Sequence, residues 1–378
     1  MPDTAVFAFM FGGKARRGEA GRVEARMRVT RSRFTGARAA TALAAAAIAA
    51  AFLLAAPLAN AAVSGENPCS QSPSYSWMGN SVATKIAFPS LTHPNGIASY
   101  RGAILRPAAT GAYPGKRPLV AIQHGRNGNS CSDWWLAQDL AGHGYTALVW
   151  TADANADPTQ AFANAVDATR SAIKWAGTAA NPERARTDAS KVTIGGSSIG
   201  AIVTSYVQSD PGLNIKAGIA LDSLRRYLTG DPAAAMSECA GQPAGQVTPA
   251  APVLGFAMDR PCKSRPDYGP PGLKLDGFEF WHTHKVPATS LVMAGFAHND
   301  FASGGSSAQH QLLDHYVRAW LALYIKKDPD AAQRMLARTV DGEPATSLFS
   351  TKFDSGMYIP GTVYTRDYRA WLAAHPDG

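Results

Sequence analysis

The stretch KVTIGGSSIGAIV, residues 191–203, leaves the surrounding chain few ways to fold. A β-branched apolar run leads into Gly-Gly-Ser-Ser-Ile-Gly, and a second apolar run follows. That order reads as a buried strand, a sharp turn and a helix. Where glycines stand two residues before and two after a serine, the helix can close against the strand. The serine is then held on a strained turn with its hydroxyl outward. Ser198 has Gly196 and Gly200 in those places, whereas Ser197 has Gly195 and Ile199, and Ile199 is too bulky for the role. Ser198 is therefore the candidate nucleophile. The alternative is a Gly/Ser turn that links strand to helix without chemistry.

The rest of the chain repeats this alternation. ASYRGAILRP reads as an early strand, RPLVAIQHG as a buried strand and DWWLAQDLAGHG as a helix with a glycine stop. YTALVWTAD is the next strand. TQAFANAVDATRSAIKWAGT carries Phe162, Ala165, Val166, Ile173 and Ala176 at helical spacing, with Thr169 on the same stripe. IKAGIALD, APVLGFAMD and ATSLVMAG are strands, and QHQLLDHYVRAWLALYIKKD is a long closing helix. Such alternation predicts an α/β domain with a mostly parallel sheet covered by helices on both faces. Functional residues in such sheets gather at the carboxyl ends of the strands. Residues 224–250 and 260–286 are rich in Pro and Gly and read as long loops or a small cap over the site.

A serine hydroxyl needs a base, and the base needs an acid to orient it. His298 follows the last apolar strand in LVMAGFAHNDF and is the candidate base. His310 and His315 fall in the closing helix, where packing or solvation suits them better. His282 and His284 form H-x-H without a third ligand nearby, so no metal is expected. Two acids end strands: Asp222 closes IKAGIALD and Asp259 closes APVLGFAMD, with Asp222 the preferred partner. An oxyanion hole requires two N–H donors. Ile199 supplies the amide after the serine, and Arg126, in QHGRNGNSCSDWW, supplies the other. His124 is assigned to holding that loop. Trp134, Trp135 and Phe301, with Phe278, Phe280 and Trp281, either line an apolar acyl pocket or pack the core.

Together AIQHGRNG, GGSSIG, GIALDS and GFAHNDF resemble the α/β-hydrolase superfamily over roughly residues 80–340. Within that superfamily the chain looks like secreted esterases of the dienelactone-hydrolase-like and platelet-activating-factor-acetylhydrolase-like groups, near the cutinase and polyester-hydrolase branch. The resemblance implies a Ser-His-Asp esterase working through a covalent acyl-enzyme, without metal or organic cofactor. Acetylhydrolase-like relatives imply Asp222 as the acid, and cutinase-like relatives imply Asp259. Many relatives carry His or Trp before the nucleophile and a further Gly after the last Gly of the turn, where this chain has Ser197 and Ala201. The same residues would also serve an acyltransferase, a serine peptidase or a non-catalytic binding protein on this scaffold.

Charge is distributed unevenly. Of the 36 Lys and Arg residues, nine fall in residues 1–61, against three of the 28 Asp and Glu, so most of the net charge of +8 lies there. The remaining body is nearly balanced and gives no reason to expect nucleic acid as a partner. Arg28, Arg31, Arg33 and Arg38 precede an uncharged alanine-rich run that ends Ala59-Asn60-Ala61. A basic start, an apolar middle and a small-residue exit read as a secretory signal cleaved after Ala61, with Met1 or Met27 as its start. Export fits four cysteines, Cys69, Cys131, Cys239 and Cys262, all beyond that cut. Three pairings are open; nearness in sequence suggests Cys239 with Cys262, which leaves Cys69 with Cys131. The expected organisation is a signal and extension at 1–61, a loose leader at 62–80, a catalytic domain at 81–345 and a tail packed on it at 346–378. The expected location is secreted or periplasmic, with an ester as substrate and no stable membrane insertion.

Overall fold

Alternate residues along the central strands face opposite ways, and the helices divide accordingly. A computed structural model describes residues 68–108, 110–152, 157–222, 224, 248–258, 280–281, 283–293, 296–328 and 330–335, with short paired strands at 339–340, 343–344 and 357–358. The anticipated signal, Cys239, Cys262, Asp259, Phe278, His282 and most of the two Pro/Gly-rich stretches lie outside the described residues. Those that are described belong to the unit Ala59–Gly378.

The main strands are β1 (Ser81–Pro89), β2 (Ser99–Pro107), β3 (Arg117–Gln123), β4 (Thr146–Thr151), β5 (Thr187–Ser197), β6 (Ile215–Leu221), β7 (Val253–Met258) and β8 (Ala288–Met293). The short pieces β9 (Thr339–Val340) and β10 (Glu343–Pro344) pair with each other, and β11 (Met357–Tyr358) adds to β8. The large sheet runs β1-β2-β4-β3-β5-β6-β7-β8-β11. From β4 to β8 its neighbours are parallel, while β1, β2 and β11 join antiparallel. The anticipated α/β class, with a mostly parallel sheet, is what the chain forms.

Among the described residues the helices are α1 (Trp134–Gly142), α2 (Pro158–Ala176), α3 (Ile199–Val207), α4 (Ser307–Leu321) and α5 (Ala331–Met335), the last packed against α4. On β3, Leu119 and Ala121 face α2 and α3, joining Leu148 and Trp150 of β4 and Ile104 of β2. Val120 and Ile122, with Ala147, Val149 and Leu105, face α1 and α4. The anticipated stripe of α2 is buried in the first of these layers. Thr169, also on that stripe, satisfies its hydroxyl on the Ala165 carbonyl at 2.8 Å. On the other face Arg318 of α4 pairs with Asp314 (2.7 Å) and donates to Nε2 of His143, the C-cap of α1 (2.8 Å).

Three elements differ from expectation. β1 went unanticipated because SVATKIAFP is half-buried along most of its length and carries little periodic signal. The closing helix stops short of the expected Asp328: regular α-helix ends at Leu321 and a wider π-turn covers Ala322–Lys326. Residues 68–80 are anchored rather than loose: Cys69 and Met78 are buried, and Cys69 is disulfide-bonded to Cys131. Among the described residues no helix is long and apolar enough to cross a membrane.

Asp167 of α2 holds the β1–β2 hairpin. One carboxylate oxygen accepts from Ser90 Oγ (2.6 Å) and Tyr100 Oη (2.9 Å), and the other from the amide and hydroxyl of Thr92 (both 2.8 Å). Burial pushes its pKa up, but these donors outweigh burial and hold it below the usual carboxylate range. The ionised form is therefore the stabilising one. Asp167→Asn is expected to lower unfolding free energy at pH 7 by about 2–3 kcal/mol in urea titration. The deficit should shrink as the pH falls through the carboxylate range, where the native carboxylate also takes up its proton.

Candidate functional site

The strand-to-helix turn at Ser198 is built around one carbonyl. A Cβ placed on Gly196 or on Gly200 would lie 1.9 Å from the Gln123 carbonyl oxygen at the end of β3. Both glycines are thus required by close backbone approach, the constraint read from the motif. Ser198 itself has φ 53° and ψ −116°, and its hydroxyl-bearing side chain is half-buried. A non-glycine residue in such a conformation costs of order 1–3 kcal/mol and persists only where its surroundings over-determine it.

Adjacent strands place the acid beside the serine. Ser197 of β5 is in register with Leu221 of β6, and the Ser198 amide donates to the Leu221 carbonyl at 3.0 Å. The next residue is Asp222, also at positive φ (61°) and fully buried. Asp222 Oδ2 is in hydrogen-bond contact with His298 Nδ1. His298 opens a 3₁₀ turn, His298–Phe301, beyond the end of β8, and its side chain is 39% exposed. A neutral ring that donates Nδ1–H to the carboxylate carries its lone pair on Nε2.

The loop after β3 closes the other side. Gly125 packs against the serine, so that a Cβ there would lie 3.2 Å from Ser198 Cβ. Arg126 and Asn127 are the central residues of a turn closed by Gly128 N–H on the Gly125 carbonyl (3.1 Å). His124 fixes the loop's entry: Nε2 accepts from the Ala152 amide (2.9 Å), so Nδ1 carries the proton and donates to the Gly125 carbonyl (2.6 Å). Burial lowers its pKa and keeps it neutral. Ile199 is the first residue of α3, so its amide has no partner carbonyl within the helix.

No protein-family model matches this chain, and no curated protein is significantly similar to it.

Ser197, the other serine of the pair, is occupied elsewhere. It is buried, and its hydroxyl donates to Asp133 Oδ2 at 3.1 Å. Asp133 stands at the N-cap of α1 but makes no capping bond with its side chain. Its carboxyl turns to the serine strand, and burial pushes its pKa up to about 7 against the relief given by Ser197. No local pattern marks this pair, because an Asp at the start of a helix is common for capping alone.

The aromatic candidates make core contacts. Trp134, Trp135 and Phe301 are buried, with Trp135 stacked on His310 at 4.2 Å and Phe301 against Phe296 at 5.1 Å. Phe280 and Trp281 pack beside Ala201 of α3, and Trp281 Nε1 donates to the Ala251 carbonyl at 3.0 Å. His284 Nδ1 lies 2.8 Å from the Phe280 carbonyl, and among the described residues no cluster of three metal-ligating side chains occurs.

Two outcomes are expected. Gly200→Ala should destabilise by more than about 3 kcal/mol, since its Cβ meets backbone rather than a mobile side chain. Gly212→Ala, with nothing within 4 Å of its Cβ, should change little, and thermal melts of the two variants make the comparison. For Asp133 the folded state keeps a proton that the unfolded chain has already released between about pH 4 and pH 7. Ionising it therefore costs stability as pH rises. The Tm of Asp133→Asn relative to the native protein should climb from pH 5 to pH 8; a flat difference would argue against a buried, proton-retaining carboxyl.

Proposed function

We propose that the chain is a secreted serine hydrolase of carboxylic esters, with Ser198 as nucleophile, His298 as base, Asp222 as the orienting acid, and the Arg126 and Ile199 amides as the oxyanion hole. The observation that carries this reading is the junction of β5 and β6. A serine on a tight positive-φ turn stands one strand away from a buried carboxylate that grips an imidazole from a third loop. That arrangement suits acyl transfer. His298 Nε2 takes the Ser198 proton as Oγ attacks the ester carbonyl, and the two amides hold the oxyanion. The imidazolium, steadied by Asp222, then protonates the leaving alcohol, and water frees the acyl group by the reverse sequence.

The α/β-hydrolase resemblance is supported by the strand–turn–helix context of Ser198 and by the chain order Ser, Asp, His. Export is supported by the Cys69–Cys131 disulfide, since such bonds persist in oxidising compartments. Asp222 is preferred over Asp259 because Asp222 is the acid seen against His298.

Ser198→Ala should abolish turnover of short p-nitrophenyl esters and covalent labelling by an organophosphonate, with the circular dichroism spectrum unchanged. Labelling that survives the substitution, or a native protein that never labels, would remove the nucleophile assignment and favour a binding role. Asp222→Asn should lower kcat by roughly 10⁴-fold. Near-normal activity in that variant would transfer the acid role to Asp259.

A further inference from the structure

The leader touches both loops that flank Ser198. Its Cys69 is bonded to Cys131, within the loop that carries Arg126, and Ser72 Oγ donates to the Cys131 carbonyl at 3.0 Å. Further on, Gln138 of α1 donates to Ser74 Oγ at 2.9 Å. At its far end the leader meets the segment following His298. Trp77 Nε1 donates to Ser307 Oγ (3.0 Å), and the Tyr75 hydroxyl lies 3.0 Å from His310 Nδ1 and 3.1 Å from the Gly305 carbonyl.

Proton placement at His310 follows from its neighbours. Nε2 faces the carbonyls of Ala302 (2.7 Å) and Asp300, which can only accept, so Nε2 carries the proton. The ring is fully buried and stacked flat on Trp135, and burial drives its pKa down to about 4, so it is neutral. Nδ1 is then an acceptor, and Tyr75 is the donor that satisfies it. His310 thus holds the turn after His298 from one side and is itself held by the leader from the other. A second tie runs inside the loop, where Asp300 accepts from the Ala297 amide (2.7 Å) and from Gln309 Nε2 (2.8 Å).

We propose that residues 68–80 are a brace for the site, in which Tyr75 positions the His298 loop through its hydrogen bond to His310 and the Cys69–Cys131 disulfide keeps the brace seated. Tyr75 is a positioning residue that acts through His310, and its effect on chemistry rests on the hydrolase reading above. Reduction by an external dithiol would break the Cys69–Cys131 bond, giving two protein thiols and the oxidised reagent, and would release the brace at its first anchor.

Hydrogen exchange on the whole protein tests this without assuming catalysis. In Tyr75→Phe, amides of residues 296–305 should exchange about tenfold faster, the effect of losing one part-buried hydrogen bond on local opening. Amides of β5 and β6 should keep their protection. The Cys69→Ser/Cys131→Ser double variant should show the same local change, extended to residues 124–133. On p-nitrophenyl esters kcat should fall by about the same factor while KM stays within about twofold, because the base is misplaced and the substrate contacts are not. Unchanged exchange at 296–305 in Tyr75→Phe would overturn the brace, as would acceleration spread evenly over the whole sheet. If the double variant does not fold, Tyr75→Phe, which removes only a hydroxyl, decides alone. Failure of Ser198 to react with a phosphonate would sink the hydrolase reading, and the exchange result would still judge the brace.

Discussion

The Gln123 carbonyl oxygen sits where two Cβ atoms would otherwise be, one from the end of β5 and one from the start of α3. Because Gly196 and Gly200 leave that space empty, the helix begins directly against the sheet, and the residue between them is lifted into a conformation that serine rarely adopts. The same contact sets the height of the whole rim. With β3, β5 and β6 in fixed register, Gly125, Ser198 and Asp222 arrive at one edge together. The site geometry is thus a property of strand registry and close backbone packing, and only afterwards of the side chains that do chemistry.

This also explains why adjacent, identical side chains have different fates. Ser197 is the last residue of β5 and points into the interior, where Asp133 accepts its hydroxyl. Ser198 is past the strand end, where the backbone has already turned. One residue of displacement across a pleat reverses the direction of a side chain. The hydrogen bond to Asp133 also ties the strand that carries Ser198 to the segment that leads from the Arg126 loop into α1.

Much of the rim was legible in the sequence for the same steric reason. A glycine pair at fixed spacing around a serine is a local statement about backbone contact, and it could be read without knowing the partner. The strands β3 to β8 were legible because burial on both faces makes them continuous apolar runs. β1 was not, since an edge strand that is half-solvated need not alternate cleanly. Asp133 and Tyr75 escaped notice, and His310 could be read no further than a packed or solvated helix residue, because their significance lies in contacts across 64 and 235 residues of chain, which no local pattern encodes. His310 looked like one more helix residue, and only the stacked Trp135 and the two carbonyls facing Nε2 show it to be a fixed, neutral strut.

The disulfide that fastens the leader joins cysteines 62 positions apart and encloses β1, β2 and β3. Closing a loop of that length removes on the order of 4 kcal/mol of unfolded-chain entropy. In a chain that emerges amino end first, Cys69 must wait through the entire opening hairpin and the first parallel strand for its mate. Because β4 lies between β2 and β3 in the sheet, the covalent loop spans a gap that only a later part of the chain fills.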